Sequence, residues 1–150
     1  MTADSKGDTA FCLTLQTREQ HIRRSSASSN ICTNEALTAV AAAVYVSAMG
    51  AGGMINIAKK NMERAKTLIE LLSGIGVDTV FDSIHFNEFA VKLPKDADAV
   101  NKELLKRGVM GGVPLKGHVN GMNDCMLIAT TEMHSDDDHK KLIDALKEVL

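Results

Sequence analysis

The sequence has few aromatic residues and no tryptophan: only 3% of its 150 residues are aromatic, with one tyrosine and four phenylalanines. Proteins that bind single-stranded nucleic acid stack the bases on exposed aromatic rings, so this scarcity argues against that class. A strong charge of one sign is missing too, because 17 basic against 19 acidic residues leave a net charge of -2. This balance gives no electrostatic attraction to a polyanion or a membrane surface.

Cysteine is also scarce. Cys12, Cys32 and Cys125 are odd in number, widely spaced and without a CxxC pair. A disulfide framework or a zinc ribbon is therefore not expected, and reduced thiols in the cytoplasm are the simpler interpretation. The N-terminus has no apolar signal-peptide core, and no run is expected to approach the roughly 18 apolar residues of a membrane span. We expect a cytoplasmic protein with no membrane contact.

The first half of the chain predicts an edge strand, an irregular segment and two helices. Phe11 to Leu15 alternate as in a strand, and an alanine-rich helix begins near Asn34 and stops before Gly50. A second, amphipathic helix ends at the Gly74 and Gly76 pair. Its predicted inward positions are Ile55, Ala58, Met62, Ala65, Leu68 and Leu72.

The second half predicts an α+β unit. Strands are expected at 77–81 and 85–93, and a central strand at 124–131. Asp96 and Ser135 are predicted to cap two helices that pack on the sheet. The fold class is therefore α/β, with helices on a small mixed sheet in an α+β sandwich. The predicted inward residues are Val100, Leu104 and Leu105 in one helix and Leu142, Leu146 and Val149 in the other.

The basic and serine-rich stretch at 17–34 is the strongest candidate site. Its arginines and hydroxyl groups come just before a helix N-terminus, where guanidinium groups, backbone N–H groups and the helix dipole favour a phosphate or carboxylate. A solvated loop whose Ser and Asn residues cap the helix explains the same residues. The residues alone leave both interpretations open.

Other motifs are weaker. The glycines at 50–53 and 108–112 match neither GxGxxG nor a Walker pattern, and His85 and Glu88 point to opposite faces of a predicted strand. No Ser–His–Asp order appears, and every lysine falls on a predicted solvent face or in a polar turn. We predict no catalytic residue and no metal ligand in this chain.

Several long motifs resemble one known family. The stretch LTLQTREQHIRR followed by SSNICTNEAL, the segment FNEFAVKLP, and the run MLIATTEM resemble the C-terminal part of subunit 1 of glycine dehydrogenase (decarboxylating). This is the P-protein of the glycine cleavage system in its two-subunit form. The resemblance extends from Phe11 to Leu150.

The resemblance implies the C-terminal part of a type I pyridoxal-phosphate-dependent transferase fold, which is aminotransferase-like. Residues 1–74 would end the large domain, and residues 75–150 would form the small C-terminal α+β domain, with the cofactor-binding large domain lying outside this chain. The implied reaction decarboxylates glycine on pyridoxal phosphate and passes the aminomethyl group to the lipoyl arm of the H-protein.

The same resemblance implies partners and contacts. Subunit 2 would hold most of the cofactor and supply the Schiff-base lysine in a heterotetramer, and the isolated chain would be inactive and prone to self-association through its bare helix. A non-enzymatic α+β module that binds a small ligand is the alternative. The candidate cofactor contacts are Ser29, Asn30 and Thr33, followed by Arg18, His21, Arg23 and Arg24.

Overall fold

A computed structural model of the chain describes residues 2–3, 6–10, 25 and 35–150. The chain divides into two compact units, Met1–Ser47 and Ala48–Leu150. The predicted edge strand at 11–15 and the start of the first helix at Thr33 or Asn34 lie outside the described residues. The predicted domains, 1–74 and 75–150, refer to a longer protein and stay a prediction.

A small antiparallel ribbon near the N-terminus was not predicted from the sequence. Strand β1 (Thr2–Ala3) pairs with β2 (Thr9–Ala10). Gly7 lies in the connection with a φ of 86°, which favours glycine. The ribbon was missed because its strands are two residues long and carry no apolar alternation.

One interrupted helix stands where two helices were predicted. Helix α1 covers Ala36–Ser73, and its backbone leaves helical geometry at Gly50, where φ is 61° and ψ is -179°. The helix ends at Ser73, directly before the predicted pair Gly74 and Gly76, and Gly76 adopts a φ of 79°. The Val77 amide donates to the Leu72 carbonyl, and the Gly76 amide donates to the Ser73 carbonyl. These two bonds form a Schellman motif.

The sheet of the second unit is antiparallel throughout, so the predicted mixed sheet is wrong. Strands β3 (Glu88–Lys92), β4 (Val113–Pro114) and β5 (Cys125–Ala129) lie in the order β3-β5-β4. The central place predicted for β5 is confirmed. The predicted strand at 77–81 is reduced to a single bridge between Thr79 and Val91. Strand β4 has only two residues, so the sequence carries no signal of this strand or of its direction.

Two capped helices follow the strands, as predicted. Helix α2 (Ala97–Lys106) begins at Asp96, whose side chain accepts a hydrogen bond from the Ala99 amide at 3.1 Å. Helix α3 (Asp136–Val149) begins with a capping box between Ser135 and Asp138. One inward position is wrong: Leu105 is 63% exposed, because burial in α2 is carried by Ala97, Val100 and Leu104.

The core of the second unit lies between the sheet and the helices. In α1 the predicted inward residues Ala65, Leu68 and Leu72 are buried, whereas Ile55 is 54% and Met62 is 42% exposed. The inward stripe of α1 therefore begins later than predicted. Other buried members of the core are Phe89, Val91, Val100, Leu104, Met126, Ile128, Leu142, Leu146 and Val149.

The first part of α1 carries an uncovered apolar surface. No charged residue lies between Glu35 and Lys59, and Leu37 and Val40 are exposed. By length and composition α1 qualifies as a membrane span, and none of its most apolar 18-residue stretch is buried. The expectation that no stretch is apolar enough for a membrane span is therefore wrong. Alanine and glycine stand between the larger apolar residues of α1, and they add no charge that would lower its hydropathy. One such helix is weak evidence of membrane contact, because core helices of soluble proteins have the same composition.

Candidate functional site

The residues proposed to contact the cofactor lie outside the described part of the chain. This applies to Arg18, His21, Arg23, Arg24, Ser29, Asn30 and Thr33. Within that stretch the structure describes Ser25, which lies exposed in a turn. These assignments therefore stay predictions.

A buried polar cluster among the described residues lies where β5 ends and α3 begins. Thr130 follows β5 directly and is 1% exposed, and His139 in the first turns of α3 is 2% exposed. Their Oγ1 and Nε2 atoms lie 2.9 Å apart and share a hydrogen bond whose direction depends on the histidine tautomer. Sequence reasoning missed this pair, because a lone histidine behind three aspartates looks like a solvated residue.

The second ring nitrogen of His139 has no hydrogen-bond partner within the described residues. Burial lowers the pKa of this histidine, and the positive charges of Arg64 and His134 lower that pKa further. Asp136 and Asp138 act in the opposite direction. A neutral ring can bond to Thr130 in either tautomer, and the Nε2–H tautomer leaves Nδ1 without a proton. A protonated ring always carries a proton on Nδ1, for which the described residues offer no acceptor.

Helix α1 fixes the segment between Thr130 and His139. The buried Asn61 side chain accepts a hydrogen bond from the Glu132 amide at 2.6 Å, and Arg64 forms an ion pair with Asp136. The His134 ring stacks on His139 with 6.4 Å between ring centroids. The backbone after β5 is therefore held at two points by α1.

A cavity of about 210 Å³ adjoins this cluster. Its wall includes Gly111, Ile128, Thr130, His134 and His139. A hydroxyl group hydrogen-bonded to an imidazole, as in Thr130 and His139, is the arrangement of a catalytic nucleophile and its general base. Both groups are buried, however, and a reacting carbonyl must reach a nucleophile directly, so the pair serves packing and hydrogen bonding in the described structure.

The glycines of the loop after α2 are explained by close packing. Gly108 has a φ of 69° and ends the helix, while a Cβ on Gly112 would lie 2.4 Å from the Leu127 carbonyl oxygen. Asn101 donates to the Gly112 carbonyl at 3.0 Å and accepts from the Gly111 amide at 3.2 Å. These contacts account for the glycines without a bound phosphate.

The weaker metal motif forms no site in the described residues. The His85 ring packs 6.0 Å from the Phe89 ring, and no group of three His, Cys, Asp or Glu side chains within 35–150 is placed to hold a metal ion. Cys125 is a buried free thiol, and burial raises its pKa, so it resists ionisation.

The described residues alone do not fit pyridoxal phosphate. The cofactor needs an enclosed lysine amine for its Schiff base and a set of donors for its phosphate. Every lysine of the sequence is exposed, and Lys92, Lys106 and Lys116 form ion pairs with carboxylates. The structure therefore supports no chemical step through the cofactor on residues 35–150.

The fold defines the class of protein. The chain resembles alanine–glyoxylate aminotransferase from Nostoc sp. with a TM-score of 0.55 at 19% identity, covering 70% of this chain and 28% of that chain. Likeness at this identity shows the fold alone. It is the aminotransferase-like α/β fold of pyridoxal-phosphate-dependent enzymes, as the sequence resemblance implied.

Sequence comparison identifies the family within this class. The profile of the glycine cleavage system P-protein matches residues 1–146. The probable glycine dehydrogenase (decarboxylating) subunit 1 of Alcanivorax borkumensis is 45% identical over 150 residues, covering 99% of this chain and 33% of that protein. A crystal structure of glycine decarboxylase (P-protein) of the glycine cleavage system, in inhibitor-bound form, matches with a TM-score of 0.74 and 44% identity.

The chain belongs to the glycine cleavage system P-protein family, which confirms the resemblance read from its motifs. The structural match covers 99% of this chain but only 34% of the glycine decarboxylase chain. The chain thus spans about a third of the length of the curated relatives it matches. The activity and partners of a whole P-protein therefore do not follow from this chain alone.

Proposed function

We propose that this chain is the C-terminal part of a subunit of glycine dehydrogenase (decarboxylating), an oxidoreductase of glycine catabolism. The observation that carries the proposal is the 45% identity to a protein named as subunit 1, which extends over 99% of this chain. A match of this length includes helices, strands and loops alike, so it reflects more than a shared small-domain fold.

Pyridoxal phosphate would supply the reaction with an electron sink for the electron pair that remains when glycine loses CO₂. The described residues would act as a scaffold, because their lysines are exposed and their one buried histidine is hydrogen-bonded to Thr130. Contact with the cofactor is proposed for Ser29, Asn30 and Thr33, and after them for Arg18, His21, Arg23 and Arg24.

We propose that subunit 2 carries the Schiff-base lysine and most of the cofactor site, and that this chain's subunit completes the site across a shared interface. The aminomethyl product would pass to the lipoylated H-protein. The assembly would be a cytoplasmic heterotetramer. Support for these partners comes from the subunit name of the relatives, which implies at least one further subunit.

The alternative, a non-enzymatic α+β module that binds a small ligand, is not favoured. If the chain were such a module, similarity to the P-protein family would be needed only in the sheet and its two helices. The family match instead covers residues 1–146.

Isotope exchange between bicarbonate and the carboxyl group of glycine tests the proposal. Full-length subunit 1 containing this sequence, subunit 2 and lipoylated H-protein should together exchange label, and the isolated chain should neither exchange label nor bind pyridoxal phosphate. Omission of subunit 1 is the control. Equal exchange by subunit 2 and H-protein without subunit 1 would disprove the proposed completing role.

A further inference from the structure

An open groove with an apolar floor lies between α1 and the loop that follows it, within the second unit. The groove has a volume of about 510 Å³ and is lined by Met62 and Ile69 of α1 and by Phe81 and Ile84 of the loop, among others. Phe81 is 52% exposed, Ile84 is 90% exposed and Met62 is 42% exposed. We call this surface the Phe81 groove.

The loop that forms one wall of the groove exposes phenylalanine, a scarce residue in this chain; Phe81 lines the groove and Phe86 follows just beyond it. The sequence has four phenylalanines, and two of them, Phe81 and Phe86, are half exposed at this loop. Phe89, only three residues beyond Phe86, is buried in the core of the same unit. Large apolar side chains gathered on one surface mark an interaction site, whereas single exposed ones need no explanation.

The rim of the Phe81 groove is negatively charged. Glu63 and Asp82 line it, and their carboxylate groups form no ion pair or side-chain hydrogen bond with any residue in 35–150. Lys66 and Glu70 also line the groove, and their charged groups lie 3.9 Å apart, so this pair adds no net charge to the rim. A partner with basic side chains would therefore meet two unpaired carboxylates, and an acidic partner would be repelled.

We propose that the Phe81 groove binds a basic amphipathic segment of another polypeptide. The partner's apolar side chains would contact Phe81 and Ile84, while its lysine or arginine side chains would face Glu63 and Asp82. Two turns of α1 separate Met62 from Ile69, so a bound segment of roughly 8–10 residues matches this length at 1.5 Å per residue. This proposal is independent of the proposed function.

Two synthetic helical peptides of 14 residues provide the test, one with leucine and lysine on opposite faces and one with glutamate replacing each lysine. Fluorescence anisotropy at low salt should show the lysine peptide binding the 150-residue chain at least tenfold more tightly. Added salt should reduce the difference, because the rim charges are exposed. The charge reversal Glu63→Lys with Asp82→Lys should invert the preference.

The variant Phe81→Ser with Ile84→Ser should weaken binding of the lysine peptide at least tenfold. Leu105→Ser is the matched control, because Leu105 is 63% exposed but lies on α2, away from the groove. Leu37→Ser is a second control, because Leu37 lies on the exposed apolar first part of α1, outside the groove. Circular dichroism confirms that each variant is folded.

Three results would overturn the proposal. These are equal binding of both peptides, an equal loss of binding in Leu105→Ser or Leu37→Ser, and peptide binding that the groove variants leave unchanged. If the groove variants instead abolish self-association of the chain while neither peptide binds, the occupant is a second copy and the proposed partner is wrong.

Discussion

The hydroxyl oxygen of Thr130 lies 2.9 Å from Nε2 of His139, and both side chains are buried. This hydrogen bond joins the end of the central strand β5 to the first turns of α3. It lies beside the apolar core cluster of the second unit, which includes Leu68, Ile128 and Leu142.

Replacing Thr130 by valine should destabilise the second unit. The valine keeps the shape but leaves a buried imidazole nitrogen without its partner, a loss of about 1–3 kcal/mol. Urea denaturation followed by circular dichroism measures the change. Thr67→Val is the matched control, because Thr67 is exposed on α1 and its replacement should change stability by less than about 0.5 kcal/mol. Equal effects of the two substitutions would show that the hydrogen bond is unimportant.

Stability should decrease as the pH falls from 7 to 5. Burial holds the pKa of His139 below its ordinary value, so the unfolded chain takes up a proton at this residue before the folded chain does. The stability provided by the neutral ring is complete above the unfolded pKa and is lost as the pH falls below it, down to the folded pKa. Denaturation midpoints measured at intervals across this range show the slope.

His139→Phe should flatten that slope, because the titrating group is removed. Asp96 and Asp138 do not interfere, since the pKa values of both carboxyl groups are held below the ordinary value by hydrogen bonds, from Lys116 and Ser135 respectively. Their contribution is lost only in more acidic solution. An unchanged slope in His139→Phe would contradict a buried neutral histidine.

Gly112→Ala should destabilise the chain, because the new methyl group would lie 2.4 Å from the Leu127 carbonyl oxygen of the central strand. Overpacking against backbone costs about 1–3 kcal/mol. Gly52→Ala is the control: nothing lies within 4 Å of a Cβ at Gly52, which is helical, so alanine there should stabilise by up to about 1 kcal/mol. Thermal denaturation distinguishes the two signs, and stabilisation by Gly112→Ala would refute the close approach.

The isolated chain should self-associate through the bare apolar part of α1. Val40 and Val44 are 61% and 63% exposed on a stretch that carries no charge, and water disfavours such a surface. Sedimentation velocity at rising concentration should show species larger than a monomer, and Val44→Lys should reduce them. Lys102→Ala, an exposed change on α2, serves as the control. A monomer at every concentration would count against this prediction.

Elements with strong local signals could be predicted from the sequence. Helices α2 and α3 were located by their capping residues Asp96 and Ser135, and the end of α1 by its glycines. Strand β5 was placed at the centre because its residues are almost all apolar. These signals act within a few residues of each element and do not depend on the tertiary structure.

Features that depend on distant contacts could not be predicted. The burial of Asn61 requires the Glu132 amide, 71 positions along the chain, and the burial of His139 requires Thr130, which follows the central strand β5. The exposure of Leu105 depends on the direction in which α2 packs on the sheet. The predicted contacts Ser29, Asn30 and Thr33 remain predictions, because they lie outside the described residues.

Exchange of glycine carboxyl label in a chimeric enzyme tests the central claim most directly. This sequence would replace the matching third of Alcanivorax borkumensis subunit 1, to which it is 45% identical, and the chimera would be assayed with subunit 2 and lipoylated H-protein. If the chain is a P-protein segment, the chimera should retain at least a tenth of the parental exchange rate. A soluble, assembled chimera with no exchange above that of subunit 2 and H-protein alone would contradict the account.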